Sequence, residues 1–252
     1  MLPENQHPSF TTIPAEQTRQ VGVAKKFMAS VFLWMFGALA ISAVCAWLFA
    51  TNANLLGYLV NFETGQRTGL GTLAIWAPLL FVIAMSFGYQ KFSATVMTAL
   101  FIAYAAIMGV SLSFILLVYT TGSIVSCFAA AALMFGIMAV MGYTTNKDLT
   151  SFGRIMFMGL IGIVVASLIN WMVGSSTLDW IISIVGVAVF TGLTAYDVQK
   201  LKLIGQGFEV NADGTVSTSE NVKKASIYGA LTLYLDFINL FLMILRLFGR
   251  RN

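Results

Sequence analysis

Two aspartates, Asp197 in the run Thr-Ala-Tyr-Asp and Asp236 in the run Leu-Tyr-Leu-Asp, each stand inside a long apolar stretch. An ionised Asp at the centre of a membrane helix costs about 2.5 to 3.5 kcal/mol on insertion scales, so such residues face protein or water rather than lipid. At helical spacing Thr232, Asp236, Asn239 and Met243 share one face. Ser183, Val187, Phe190 or Thr191, Thr194 and Asp197 share another. If the two stripes meet, two carboxyls in one poorly solvated site share a proton rather than both ionise. Sharing it, they hold their helices together through a hydrogen bond; both ionised, they repel and attract a divalent cation that prefers oxygen ligands. That is the chemistry of a proton-gated cation leak, with Asp197 and Asp236 as pH sensor, gate and cation ligands. Thr191, Thr194, Thr232 and Asn239 would line the same faces. The plainer reading of Asp197 is that it closes a helix at the interface beside Lys200 and Lys202, whose long stems reach water.

Other chemistries have few residues to work with. The only histidine, His7, precedes every apolar run, so a Ser/His or Cys/His nucleophile pair within them is unavailable. Cys45 and Cys127 fall in separate apolar runs without metal-ligand spacing and read as small apolar side chains. No GxxxxGK[ST] loop or GxGxxG turn is present, so nothing points to nucleotide-driven transport. No catalytic residue and no cofactor are expected; calcium would be a permeant ion.

The elements that must position the aspartates are membrane helices. Of 252 residues, 58% are hydrophobic and only 10% charged, against about 25% charged in a typical soluble protein; mean hydropathy is +0.85. About 20 apolar residues cross the hydrocarbon layer. Seven runs qualify: 27–50, 70–88, 94–119, 125–143, 155–173, 180–196 and 225–247. They are continuous rather than alternating, which favours helices over a barrel. The expected fold is therefore all-α, a single seven-transmembrane-helix bundle over 27–252. Residues 1–26 would form a flexible cytoplasmic leader, polar through Gln20 and carrying Pro3, Pro8 and Pro14.

With the N-terminus inside, Arg19, Lys25, Lys26, Lys91, Lys147, Arg154, Lys200, Lys202, Lys223 and Lys224 face the cytoplasm, the preferred side for basic residues. Arg67, Arg246, Arg250 and Arg251 are left outside. The last three suit the cytoplasm better, so either the final run crosses with a basic outer end, the favoured reading, or it enters and returns. The net charge of +4 is accounted for by this topology and calls for no nucleic-acid partner.

The connection after the sixth run resembles a twelve-residue calcium loop, with Glu209, Asn211 and Asp213 at the first, third and fifth positions, Gly214 at the sixth and Glu220 at the twelfth. A Glu at the first position is too long for that loop, and a turn around Asn211-Ala-Asp-Gly214 is the favoured reading.

Three segments, Met141-Gly-Tyr-Thr-Thr-Asn-Lys-Asp-Leu-Thr-Ser-Phe-Gly153, Thr194-Ala-Tyr-Asp-Val-Gln-Lys200 and Leu233-Tyr-Leu-Asp-Phe-Ile-Asn-Leu-Phe241, closely resemble the bacterial branch of the Bax inhibitor-1 family. The resemblance implies seven membrane helices, a pH-sensitive calcium leak and, in animal members, protection from cell death. It implies that the paired aspartates are Asp197 and Asp236. It also implies the lipid bilayer, calcium, protons and a quality-control membrane protease as partners, and the bacterial inner membrane as location. A regulatory protein that docks to membrane partners is the second reading, with the leader and the pairs Gly159/Gly162 or Gly109/Ser113 as contact sites; internal packing is the favoured role for those pairs. An intramembrane aspartyl protease fits poorly, because Leu233-Tyr234-Leu235 replaces the Gly-x-Gly expected before its second aspartate.

One difficulty stands against the pair. If Lys202 and Lys223 mark one cytoplasmic boundary, Asp197 lies about 8 Å deep and Asp236 about 20 Å, so their helices must tilt, shift or break for the carboxyls to meet.

Overall fold

The computed structural model describes residues 15–208 and 220–252. The chain forms α1 (Ala15–Thr51), α2 (Ala53–Gly57), α3 (Gly69–Gly88), α4 (Ala94–Val118), α5 (Thr121–Thr144), α6 (Thr150–Val173), α7 (Ser176–Gln206) and α8 (Glu220–Phe248). All but α2 are long and apolar enough to cross a membrane. Among the described residues there are no strands, only two isolated bridges, Val60 with Arg67 and Tyr119 with Arg251. The protein is an all-α seven-helix membrane bundle.

Short polar residues punctuate the apolar runs. Thr68, Ser93, Thr120 and Ser175 each accept a hydrogen bond from a first-turn amide of the helix that follows, covering N–H groups that would otherwise be orphaned. Gly174 ends α6 at φ 69°, a left-handed conformation that only glycine adopts without strain.

Two helix limits differ most from the sequence reading. α1 begins at Ala15, so residues 15–26 belong to a helix rather than to a leader, and Val23 and Ala24 are buried in the bundle. α7 runs on past Tyr196 to Gln206, its last turns carrying Gln199, whose side chain is satisfied by the α5–α6 connection, and Lys202, which bonds the end of α5. α8 is continuous from Glu220 to Phe248, so the reading in which the last run enters and returns falls.

The bundle is arranged around α8. The most apolar window of α8 is 61% buried and that of α7 50%, against 11% for α6, the most exposed span. α8 packs on α1, α4, α5 and α7, and its Leu233, Tyr234 and Leu240 are fully buried. On the α1/α4 side the Tyr234 ring sits edge-on to Phe101 and Tyr104. The Ser42 hydroxyl has carbonyl acceptors in Ala105, at 2.7 Å, and Ala38, at 3.0 Å. Its proton is thereby used, so Tyr234 donates to Ser42 across 2.7 Å.

Small residues set the helix spacing. A side chain at Gly109 would strike the Ser42 backbone of α1, and one at Gly142 would strike the Ala195 backbone of α7. Of the small pairs noted in the sequence, Gly109, Ser113 and Gly159 pack inside the bundle, whereas a Cβ at Gly162 would meet nothing.

Candidate functional site

Asp197 on α7 and Asp236 on α8 face each other with their carboxyl groups within hydrogen-bonding reach. Asp236 is only 5% exposed, and Asp197 is half-buried at the edge of the same interface. Asp236 Oδ2 is buried with no hydrogen-bond partner. Two carboxylates have no hydrogen to offer one another, so a proton held between them is the simplest way to satisfy that oxygen. Besides Asp236, the charge acting on Asp197 is the Lys200 ammonium, one turn along α7.

The helices reach this contact without a break. α8 begins more than four turns before Asp236, whereas α7 ends about two and a half turns after Asp197, so the two helices end at different heights. The basic residues do not mark one boundary. Lys202 donates to the Tyr143 carbonyl of α5 at 2.7 Å. Lys224, beside Lys223, is buried, with its ammonium 5.4 Å from the Tyr89 ring centroid. Lys202 and Lys224 are thus anchored on different neighbours.

The polar residues flanking the pair divide by what they bond. Thr191 Oγ1 is buried and unpartnered. Thr194 donates to the Phe190 carbonyl at 2.8 Å, Thr232 to Tyr228 at 3.1 Å and Asn239 to Leu235 at 2.9 Å, each within its own helix. Thr191 is therefore the flanking hydroxyl left free to bond a ligand. Met243, on the Asp236 stripe, packs on Gly186 of α7 and closes that end of the stripe with apolar contact.

Of the calcium-loop residues, Glu209, Asn211 and Asp213 lie outside the described residues. Glu220 lies in the first turn of α8 and accepts from the Ala94 amide at the start of α4 at 2.9 Å. One of its oxygens thus serves a helix N-terminus, a favourable place for a carboxylate. Among the described residues no three metal-ligating acidic, His or Cys side chains cluster.

Sequence reasoning missed the contacts around the α5–α6 connection. Gln199 is buried; its Oε1 accepts from the Leu149 amide at 2.9 Å and its Nε2 donates to the Lys147 carbonyl at 2.7 Å. Asp148 accepts from the Thr150 amide at 2.8 Å, and bonds from the Thr150 hydroxyl and amide hold its carboxyl below the usual carboxylate range. The available signal was the motif over 141–153, whose polar residues have no apolar periodicity to explain them.

Fold and site together define a class, a polytopic helical membrane protein with a carboxyl pair between its last two spans. The chain matches the family model described as inhibitor of apoptosis-promoting Bax1 over residues 24–252. It is 49% identical to the inner membrane protein YbhL of Escherichia coli over 226 residues, covering 90% of this chain and 92% of that protein. A protein of Borreliella burgdorferi is 40% identical over 237 residues, with 94% and 97% covered. One from Deinococcus radiodurans is 38% identical over 244 residues, with 97% and 99% covered. This chain belongs to the Bax inhibitor-1 family.

Proposed function

We propose that this protein is a pH-sensitive cation leak, with calcium as the permeant ion and the Asp197–Asp236 pair as its gate. The observation that carries the reading is the approach of the two carboxyls across the α7/α8 interface with Asp236 Oδ2 unpartnered. With one proton between them, the carboxyls bridge the helices and the route is closed. Without it, two adjacent negative charges push the helices apart and provide oxygen ligands for a divalent cation. Thr191, with its free hydroxyl six residues before Asp197 on α7, would line the route further along the helix. The protein acts without a cofactor and without catalysing a covalent reaction.

The proposed setting is the cytoplasmic membrane of a bacterium, with the N-terminus and the α3–α4, α5–α6 and α7–α8 connections in the cytoplasm. The lysines in and beside those connections support that orientation, and the relative from E. coli is named an inner membrane protein.

Calcium flux into liposomes containing the purified protein tests the gate. The wild type is expected to change its flux across neutral pH, and Asp197→Asn or Asp236→Asn to remove that dependence. Equal pH dependence in all three proteins would refute the gate. Tolerance of both substitutions, combined with loss of function on deleting residues 1–20, would favour a docking protein that engages a membrane protease or another membrane partner.

A further inference from the structure

Two of the sequence motifs, 141–153 and 194–200, grip each other on the side of α7 away from Asp236. The Gly142 backbone lies against that of Ala195, and the Tyr196 ring lies against Gly153. Lys202 holds the Tyr143 carbonyl at 2.7 Å, with its ammonium 5.3 Å from that residue's ring centroid. Gln199 reads the connection itself. Its carboxamide takes the Leu149 amide and gives to the Lys147 carbonyl, and only one orientation of the amide satisfies both. Leu149 is the N-cap residue of α6 and has no side-chain acceptor for the first-turn amides. Its own amide, one of the N–H groups a helix start leaves without an intrahelical partner, is taken by Gln199.

Gln199 follows Asp197 by two residues, which turns it through roughly 200° about the helix axis. One face of α7 therefore presents a carboxyl to α8 while the opposite face is fastened to the α5–α6 connection. Sliding or rotating α7 to part the carboxyls must break both Gln199 bonds, which are partly buried, and strands the buried Gln199 carboxamide without its partners.

We infer that Gln199 is a positioning residue for Asp197, a clamp that fixes the height and rotation of α7 and so sets how readily the carboxyl pair separates. The inference rests on the leak reading for its consequence and on the hydrogen bonds alone for its geometry. Asp236 on α8 and Lys200 on α7 are the charged groups that act on Asp197, and the clamp changes neither.

The test uses the full chain in liposomes, as wild type, Gln199→Leu and Gln199→Glu. The leucine loses both bonds. The glutamate keeps the acceptor for Leu149 but sets a carboxylate oxygen against the Lys147 carbonyl. Calcium flux is followed against pH. In parallel, spin labels at Leu203 and Lys223, both exposed, report the separation of α7 and α8 in proteins with Cys45 and Cys127 replaced by Ala. The expected result is flux through the closed state raised roughly tenfold by the leucine and less by the glutamate, as the loss of one or two hydrogen bonds requires. The midpoint of the pH profile moves, and the label distribution broadens in the same order. Unchanged label distances and an unchanged pH midpoint in both variants would overturn the clamp, whatever their thermal stability. If the wild type passes no calcium, the leak reading fails by itself. The clamp then stands or falls on whether the labels separate in the variants and not in the wild type.

Discussion

In the proposed gate, a calcium ion and a proton compete for the oxygens of Asp197 and Asp236. Binding the ion requires both carboxylates bare, so raising the pH removes the competitor and strengthens calcium binding. Where one proton leaves for each ion bound, the apparent affinity rises up to about tenfold per pH unit. Calorimetric titration of the purified protein in buffers of different protonation heat measures that proton directly. The wild type is expected to show a buffer-dependent heat that Asp236→Asn lacks; a heat independent of the buffer would remove calcium from the proposed site. Both aspartates were legible in the sequence because charge within apolar runs is rare and costly. Ser42, which organises the Tyr234 side of α8, was not. A lone serine is common in membrane helices, and only the meeting of α1, α4 and α8 supplies its partners.

Among the elements, α5 and α7 are held at the separation their backbones allow. A Cβ at Gly142 would run into the Ala195 carbonyl, which belongs to backbone that cannot rotate away. Gly142→Val is therefore expected to cost about 1 to 3 kcal/mol, as overpacked cores do, and to loosen the α5–α7 contact. Gly162→Val, whose Cβ would meet nothing, is the matched control and should be near neutral. Thermal unfolding of the two variants in detergent, followed by near-ultraviolet circular dichroism, compares them; equal losses would show that close approach at Gly142 does not set the spacing. The spans themselves were readable from unbroken apolar runs, which is why the expected and observed limits nearly coincide for α3 and α4. The ends of α7 were not readable from hydropathy. Its last turns mix polar with apolar residues, and what satisfies Gln199 there is the backbone of a connection some fifty residues earlier, out of reach of any local pattern.

For the whole molecule, the basic C-terminal end poses the remaining question of orientation. An odd number of spans places residues 249–252 on the side opposite the α7–α8 connection. The structure accommodates the arginines there. Arg246 lies 3.7 Å from the Asp179 carboxylate at the start of α7, and the Arg251 guanidinium lies 5.9 Å from the Tyr119 ring centroid. The backbone is zipped onto the α4–α5 connection by bonds from Asn252 to the Val118 carbonyl at 2.9 Å and from Thr120 to the Arg250 carbonyl at 3.0 Å. The Arg250 amide adds a third, to the Ser123 hydroxyl at 3.0 Å. Charge bias governs orientation by counting basic residues near span ends, and an arginine held against a carboxylate or a ring carries part of its compensation with it. In intact cells, Asn252→Cys should therefore react with a membrane-impermeant maleimide, while a cysteine placed at Lys147 reacts only after permeabilisation. Cys45 and Cys127 lie within spans and serve as the background control. The reverse pattern would invert the whole bundle and place the Gln199 clamp on the outer side; labelling of both positions from outside would mean that the last span does not cross.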